Sequence, residues 1–177
     1  VAAMMKIILV TRKNWIGVSR LPAALHAAGF KVGALCPKGS YLSQSEYLDF
    51  CPAYDSGLSR RNVYRLLSEA VREWRPSFVM AGDEYGGWFL RYLCEGAEAD
   101  VVDEDCVALV NASLGLYEQR IPLERKSMLG RIARSLEIDF PEEIVSPNAE
   151  QARDFAAQHG FPVVLKRDYT SAGLGVM

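Results

Sequence analysis

The sequence predicts an α/β protein: an N-terminal domain on an open parallel sheet, a helical linker, and the start of a smaller α+β subdomain. Three observations carry this prediction. Residues 5–10 (Met-Lys-Ile-Ile-Leu-Val) are an almost wholly apolar run of strand length, the pattern of a strand buried on both faces. A helix-like stretch and a second apolar run at 31–36 complete a strand–helix–strand unit of crossover size. A strongly periodic helix and a third apolar run at 78–81 then continue the alternation. The chain has 177 residues, 50% of them hydrophobic by type, enough for one good core or one and a half domains.

Each element has its own justification. After the first strand, Ser19 is placed to cap a helix and Pro22 suits its first turn. Leu21, Leu25 and Ala28 share one face, and Gly29 sits where a left-handed terminator belongs. The next helix holds Val63, Leu66, Leu67, Ala70, Val71 and Trp74 at helical spacing, and Pro76 forbids much extension. The run 78–81 ends at Gly82-Asp83-Glu84. Ligands of open parallel sheets sit beyond the carboxyl ends of the strands, which makes 11–19 and 82–87 candidate site loops. Residues 103–115 fit a helix with Val107, Val110 and Leu114 inward and Gly115 closing it.

A second helical stretch starts at Arg125 or Lys126 with Met128, Leu129, Ile132, Ala133 and Leu136 on its apolar face. The expected division is therefore 1–102, a helical linker at 103–124, and a second subdomain at 125–177. Phe140-Pro141 and Ser146-Pro147-Asn148 mark a turn, and 149–159 reads as a helix burying Ala152, Phe155 and Ala156. Gly160-Phe161-Pro162-Val163-Val164-Leu165-Lys166 then reads as a short strand delivering a lysine, followed by a run of small residues from Thr170.

Charge and cysteine usage exclude several classes. Lys and Arg number 20 against 22 Asp and Glu, a formal net charge of -2, so no broad positive field supports a nucleic-acid partner. The four cysteines, Cys36, Cys51, Cys94 and Cys106, form no C-x-x-C pair and have no histidine in ligand spacing, so zinc is not indicated and no metal ligands are assigned. They read as reduced, mostly buried thiols of a cytoplasmic protein. No apolar run reaches membrane-spanning length, and the first residues lack the charge and apolar pattern of a signal peptide, so no membrane partner is expected.

The chemistry concentrates at the C-terminal end. A lysine at the end of an apolar strand, taken alone, suits a solvated strand terminus as well as a ligand contact. The loop behind it adds bare backbone: from Thr170 to Gly175 only Leu174 is bulky, so its amides can fold over phosphate oxygens, with the Thr170 or Ser171 hydroxyl beside them. Arg12, Lys13 and Asn14, just past the first strand, are either solvated loop residues or the face of an anionic substrate group. Asp83 and Glu84 have the same two readings.

In order, the chain shows a lysine opening a helix (Arg125-Lys126-Ser127-Met128-Leu129), an Ile-x-x-Pro segment (Ile138 to Pro141), another helix, Gly-Phe-Pro-Val-Val-Leu-Lys, and a small-residue loop. Over roughly 124–177 this order resembles the ATP-grasp ligases. The resemblance implies a Rossmann-like pre-ATP-grasp domain followed by the beginning of the ATP-grasp module. It implies that Lys126 and Lys166 reach ATP, and that Ser171, Ala172, Gly173 and Gly175 belong to a lid over its phosphates. Two departures stand out: Arg167 follows the lysine where many relatives carry proline, and Thr-Ser-Ala precedes the first glycine of the loop.

The implied activity is ATP-dependent ligation of a small-molecule carboxylate to an amine or thiol through an acyl phosphate, with Mg2+ held by residues outside this chain. The chain is accordingly expected to be an N-terminal fragment, inactive alone, with no catalytic residue assigned within it. The alternative is a Rossmann-like module that senses a nucleotide without turnover.

Overall fold

The computed structural model describes residues 4–115, 125–170 and 175–177. The chain divides into two compact units, Val1–Gly115 and Leu116–Met177.

The first unit is built on a parallel three-stranded sheet of β1 (Lys6–Val10), β2 (Lys31–Leu35) and β3 (Phe78–Ala81), in the order β2-β1-β3. β1 is central: Ile8 pairs with Gly33 on one side and Val79 on the other. Its residues Ile7 to Val10 are buried, as an apolar strand sandwiched between two layers requires. The period-two alternation then assigns each face. Ile8 and Val10 join Val79 in a core with α2 (Arg60–Trp74), α3 (Glu84–Cys94) and α4 (Glu104–Leu114). Leu9, with Val32, Ala34 and Cys36, packs on the opposite face against Val18 and Leu42, with Leu21 and Leu25 of α1 (Leu21–Ala27) beside them. Cys106 and Val110 of α4 are core residues of this unit.

Local chemistry sets the ends of these elements. Ser59 accepts from the Asn62 amide at the start of α2, and Arg75 turns left-handed (φ 51°) just before Pro76 ends it. The first helix differs from expectation: a 3-10 turn, Ile16–Arg20, precedes α1, and Ser19 donates to the Ile16 carbonyl rather than capping. The stretch 82–87, expected as a loop, contains the first turn of α3, with Asp83 as its cap. Beyond β2, residues 49–54 run alongside it as an irregular parallel segment, bridged at Gly33–Phe50 and Pro37–Tyr54.

In the second unit, α5 (Lys126–Ser135) and α6 (Ala149–His159) precede a C-terminal hairpin. α6 starts with a capping box: Asn148 Oδ1 accepts from the Gln151 amide at 2.8 Å and Gln151 Oε1 from the Asn148 amide at 3.0 Å. The apolar run before Lys166 forms no strand, and among the described residues it pairs at its end. Leu165 and Met177 exchange both backbone bonds, and the Arg167 amide donates to the Gly175 carbonyl.

Candidate functional site

In the second unit, two places remote in sequence meet at the start of α5. Arg125, at its N-cap position, provides no side-chain cap. Asp168, from the turn after Lys166, takes that role: its Oδ1 accepts from the Ser127 amide at 2.9 Å and its Oδ2 from the Ser127 hydroxyl at 2.5 Å. Those donors are why the Asp168 carboxyl is held below the ordinary carboxylate value: the Ser127 hydroxyl contributes most, and Arg125 and Lys126 add attraction. Arg125 Nε donates to the Tyr169 hydroxyl at 2.5 Å.

The Lys126 ammonium lies over the same turn. It donates to the Arg167 carbonyl at 3.2 Å, to the Thr170 hydroxyl at 3.0 Å, and to the Thr170 carbonyl. An ammonium has three donors, so these neutral oxygens occupy its full capacity. Lys166 is exposed and lies opposite Val176 in the hairpin. Gly175 has φ 79°, and a Cβ there would lie 2.9 Å from the Thr170 methyl and 3.2 Å from the Arg167 Cβ, so the position requires glycine.

Of the expected nucleotide residues, Lys126 therefore reaches the turn that follows Lys166, and Gly175 shapes it. Ser171, Ala172 and Gly173 lie outside the described residues. Asp168 and Ser127 were not anticipated. The readable signal was a helix start without a capping side chain of its own.

The first unit carries a second concave feature, at the carboxyl ends of β1 and β2. A cavity of about 350 Å3 is lined by Arg12, Lys13, Asn14, Lys38, Ser40 and Ser56 among others. Its walls are fixed by hydrogen bonds. Asp83 Oδ2 accepts from the Arg12 and Lys13 amides at 3.1 and 3.0 Å, while its Oδ1 accepts from the Gly86 amide at 2.6 Å. Asp83 thus joins the end of β1 to the start of α3. Arg12 Nη1 donates to the Tyr54 hydroxyl at 3.3 Å, and that hydroxyl donates to the Thr11 carbonyl at 2.8 Å. Asn14 accepts from the Tyr41 amide, and Lys38 pairs with Asp55 at 3.2 Å. The cavity lies beyond the carboxyl ends of the strands, the side on which open parallel sheets place their ligands. Arg12 and Lys13 bring cationic side chains to the cavity, while Lys38 is paired with Asp55 and Asp83 lies against the Arg12 and Lys13 amides.

No protein-family model matches the chain. Solved structures do match. The biotin carboxylase domain of 2-oxoglutarate carboxylase from Hydrogenobacter thermophilus, in complex with MgADP, ADP and bicarbonate, superposes with a TM-score of 0.57 at 15% identity, over 98% of this chain and 37% of that one. N5-carboxyaminoimidazole ribonucleotide synthetase in its ADP complex gives 0.56 at 17% identity, over 97% and 40%. This is the fold of the N-terminal part of ATP-grasp enzymes. Carboxyaminoimidazole ribonucleotide synthase from Aspergillus clavatus, complexed with ATP, is another ATP-grasp match, at 0.55 and 16% identity over 98% and 41%. The chain spans about two fifths of the length of these ATP-grasp structures.

Among the described residues, no helix is long and apolar enough to cross a membrane. Nor does any group of three His, Cys, Asp or Glu there form a place for a metal ion.

Proposed function

We propose that this chain forms the phosphate-binding side of an ATP-dependent ligase that joins a small-molecule carboxylate to an amine or thiol. The observation that carries the reading is the Lys126 ammonium, held against the turn between Lys166 and Gly175 by oxygens that carry no charge. A polyphosphate is a stronger acceptor than carbonyls and a hydroxyl, so it would draw the ammonium from Thr170 and Arg167. The amides of the small-residue loop 171–175 would then serve the phosphates, as the resemblance implies. Lys166, next to this turn, would add the second cation. The cations and amides would position the transferred phosphoryl group and offset its charge.

Among the described residues no group of three His, Cys, Asp or Glu comes together, and no magnesium ligand is assigned to this chain. Formation of the acyl phosphate and attack by the amine or thiol belong, on this reading, to the whole enzyme. Its acceptor substrate, if anionic, would find Arg12, Lys13 and Lys38 at the cavity of the first unit. The reading places the protein in the cytoplasm.

Titration of the 177-residue chain with ATP tests this proposal. Lys126→Ala and Lys166→Ala should each weaken binding by roughly 10- to 150-fold, the loss of a charged hydrogen bond of about 1.5–3 kcal/mol. Equal affinity in wild type and both variants would overturn it. A nucleotide sensor would show the same binding with no ADP released when the whole protein is supplied with carboxylate and amine.

A further inference from the structure

Cys36 and Cys51 are fifteen residues apart in the chain, yet their Sγ atoms lie 3.8 Å from each other. Cys36 follows β2 and is fully buried at 0% exposure, while Cys51 is exposed on the segment running beside that strand. The backbones on both sides of the pair are tied together. The Ala34 amide donates to the Phe50 carbonyl at 2.9 Å, and the Tyr54 amide to the Cys36 carbonyl at 3.0 Å. The sulfurs therefore face each other across a fixed spacing. Contact with Cys51, then burial, push the Cys36 pKa up, and the hydrogen bond from the Cys36 thiol pulls the Cys51 pKa down. The exposed cysteine is thus the one more readily ionised, and the buried one is a shielded thiol placed 3.8 Å behind it.

We propose that Cys36 and Cys51 form a reversible intrachain disulfide, so that this edge of the sheet is a site of oxidative modification by a small-molecule disulfide. With oxidised glutathione, the Cys51 thiolate attacks one sulfur and releases a glutathione thiolate, leaving a mixed disulfide. Cys36 then gives its proton to solvent and attacks the Cys51 sulfur, releasing the second glutathione thiolate. Cys51 loses its own proton to solvent on forming the thiolate, and the two glutathione thiolates take up the two protons that Cys51 and Cys36 released; two protein thiols are oxidised by two electrons and one glutathione disulfide is reduced to two thiols.

Closing the bond brings the sulfurs from 3.8 Å to about 2.05 Å, through rotation of the two side chains with any adjustment of the segments that carry them. Cys36 leads directly into Pro37, Lys38, Gly39 and Ser40, which line the cavity of the first unit. Oxidation at this pair therefore ties the 49–54 segment covalently to the residue that leads into the cavity wall. Buried Cys106, its pKa pushed up to about 12 mainly by burial, provides an internal comparison that should not react.

The test equilibrates the whole chain with oxidised and reduced glutathione, alkylates it under denaturing conditions, and reads intact and digested masses. The expected result is a fall from four alkylated cysteines to two, with one cross-linked peptide joining positions 36 and 51 and full reversal by dithiothreitol. Cys36→Ser should instead retain glutathione on Cys51, having lost the resolving thiol. Cys51→Ser, changed at an exposed position, should keep all three remaining thiols free. Persistent glutathione on wild-type Cys51, a cross-link through Cys94 or Cys106, a disulfide between two chains, or four unreacted thiols would each overturn the proposal.

Discussion

Asp168 supplies at the start of α5 what Arg125 does not: an acceptor for a first-turn amide, delivered from 41 residues further along the chain. Because its folded pKa lies below the ordinary value of 3.8, the stabilisation is fully present above that value and is lost as pH falls through the folded pKa. Asp168→Ala should cost about 1 kcal/mol, as loss of a cap does, and should speed hydrogen exchange at the Ser127 and Arg167 amides. Unchanged exchange would show that the hairpin is held elsewhere. Tyr64 has the opposite sign. Its hydroxyl donates to the Phe89 carbonyl at 2.7 Å, its ring stacks on Phe89 at 4.0 Å, and burial pushes its pKa up to about 12. Its contribution is complete below pH 10, the ordinary tyrosine value, and disappears as pH rises towards 12. Tyr64→Phe keeps the stack and should lose about 1 kcal/mol at neutral pH. Urea unfolding at pH 8 and 11 should show a smaller alkaline loss in the variant, with Tyr54, also raised by burial, retaining its own share.

At the scale of the element, what could be read in the sequence followed from how local each signal was. β1, α2 and α4 were legible because an apolar run or a helical period states which face is buried. α6 was legible from Asn148 and Gly160 at its ends. α3 was not, because Gly86 and Gly87 in its first turn look like loop residues. The structure shows the reason for one of them: a Cβ at Gly86 would press into the Val10 carbonyl oxygen and sit 3.3 Å from Asp83 Oδ1. Glycine lets α3 start directly against the end of β1, which is also how Asp83 reaches the amides of Arg12 and Lys13. Gly86→Ala should therefore destabilise the first unit by about 1–3 kcal/mol through overpacking, although alanine favours helices in general. Urea denaturation would measure this; a stabilised variant would show that β1 and α3 can separate without cost. The site was half legible for a related reason. Lys126 and Lys166 carried the resemblance, whereas the Asp168 cap and the Cys36–Cys51 approach depend on which segments pair, and no periodicity encodes that.

Across the whole molecule, apolar burial is uneven. The first unit contains two clusters of buried residues with Tyr64, Leu67, Leu90 and Leu93 among them, while the buried apolar side chains described in the second are Ala133 and Ala156. Buried apolar area is the main favourable term in folding, so the two units should differ in stability and unfold in separate steps. The sequence provides a means to see this, because all three tryptophans, Trp15, Trp74 and Trp88, belong to the first unit. Tryptophan fluorescence should report that unit alone, while circular dichroism also follows α5 and α6. The dichroism transition is expected to begin at lower urea than the fluorescence transition; coincident curves would mean that the units unfold together. The same pair of signals examines the nucleotide reading. ATP held by Lys126 and Lys166 at one hundred times its dissociation constant should stabilise the second unit by about 2.7 kcal/mol. The early dichroism step should then move to higher urea with fluorescence unchanged, whereas a shift in fluorescence alone would put the nucleotide in the cavity beside Arg12.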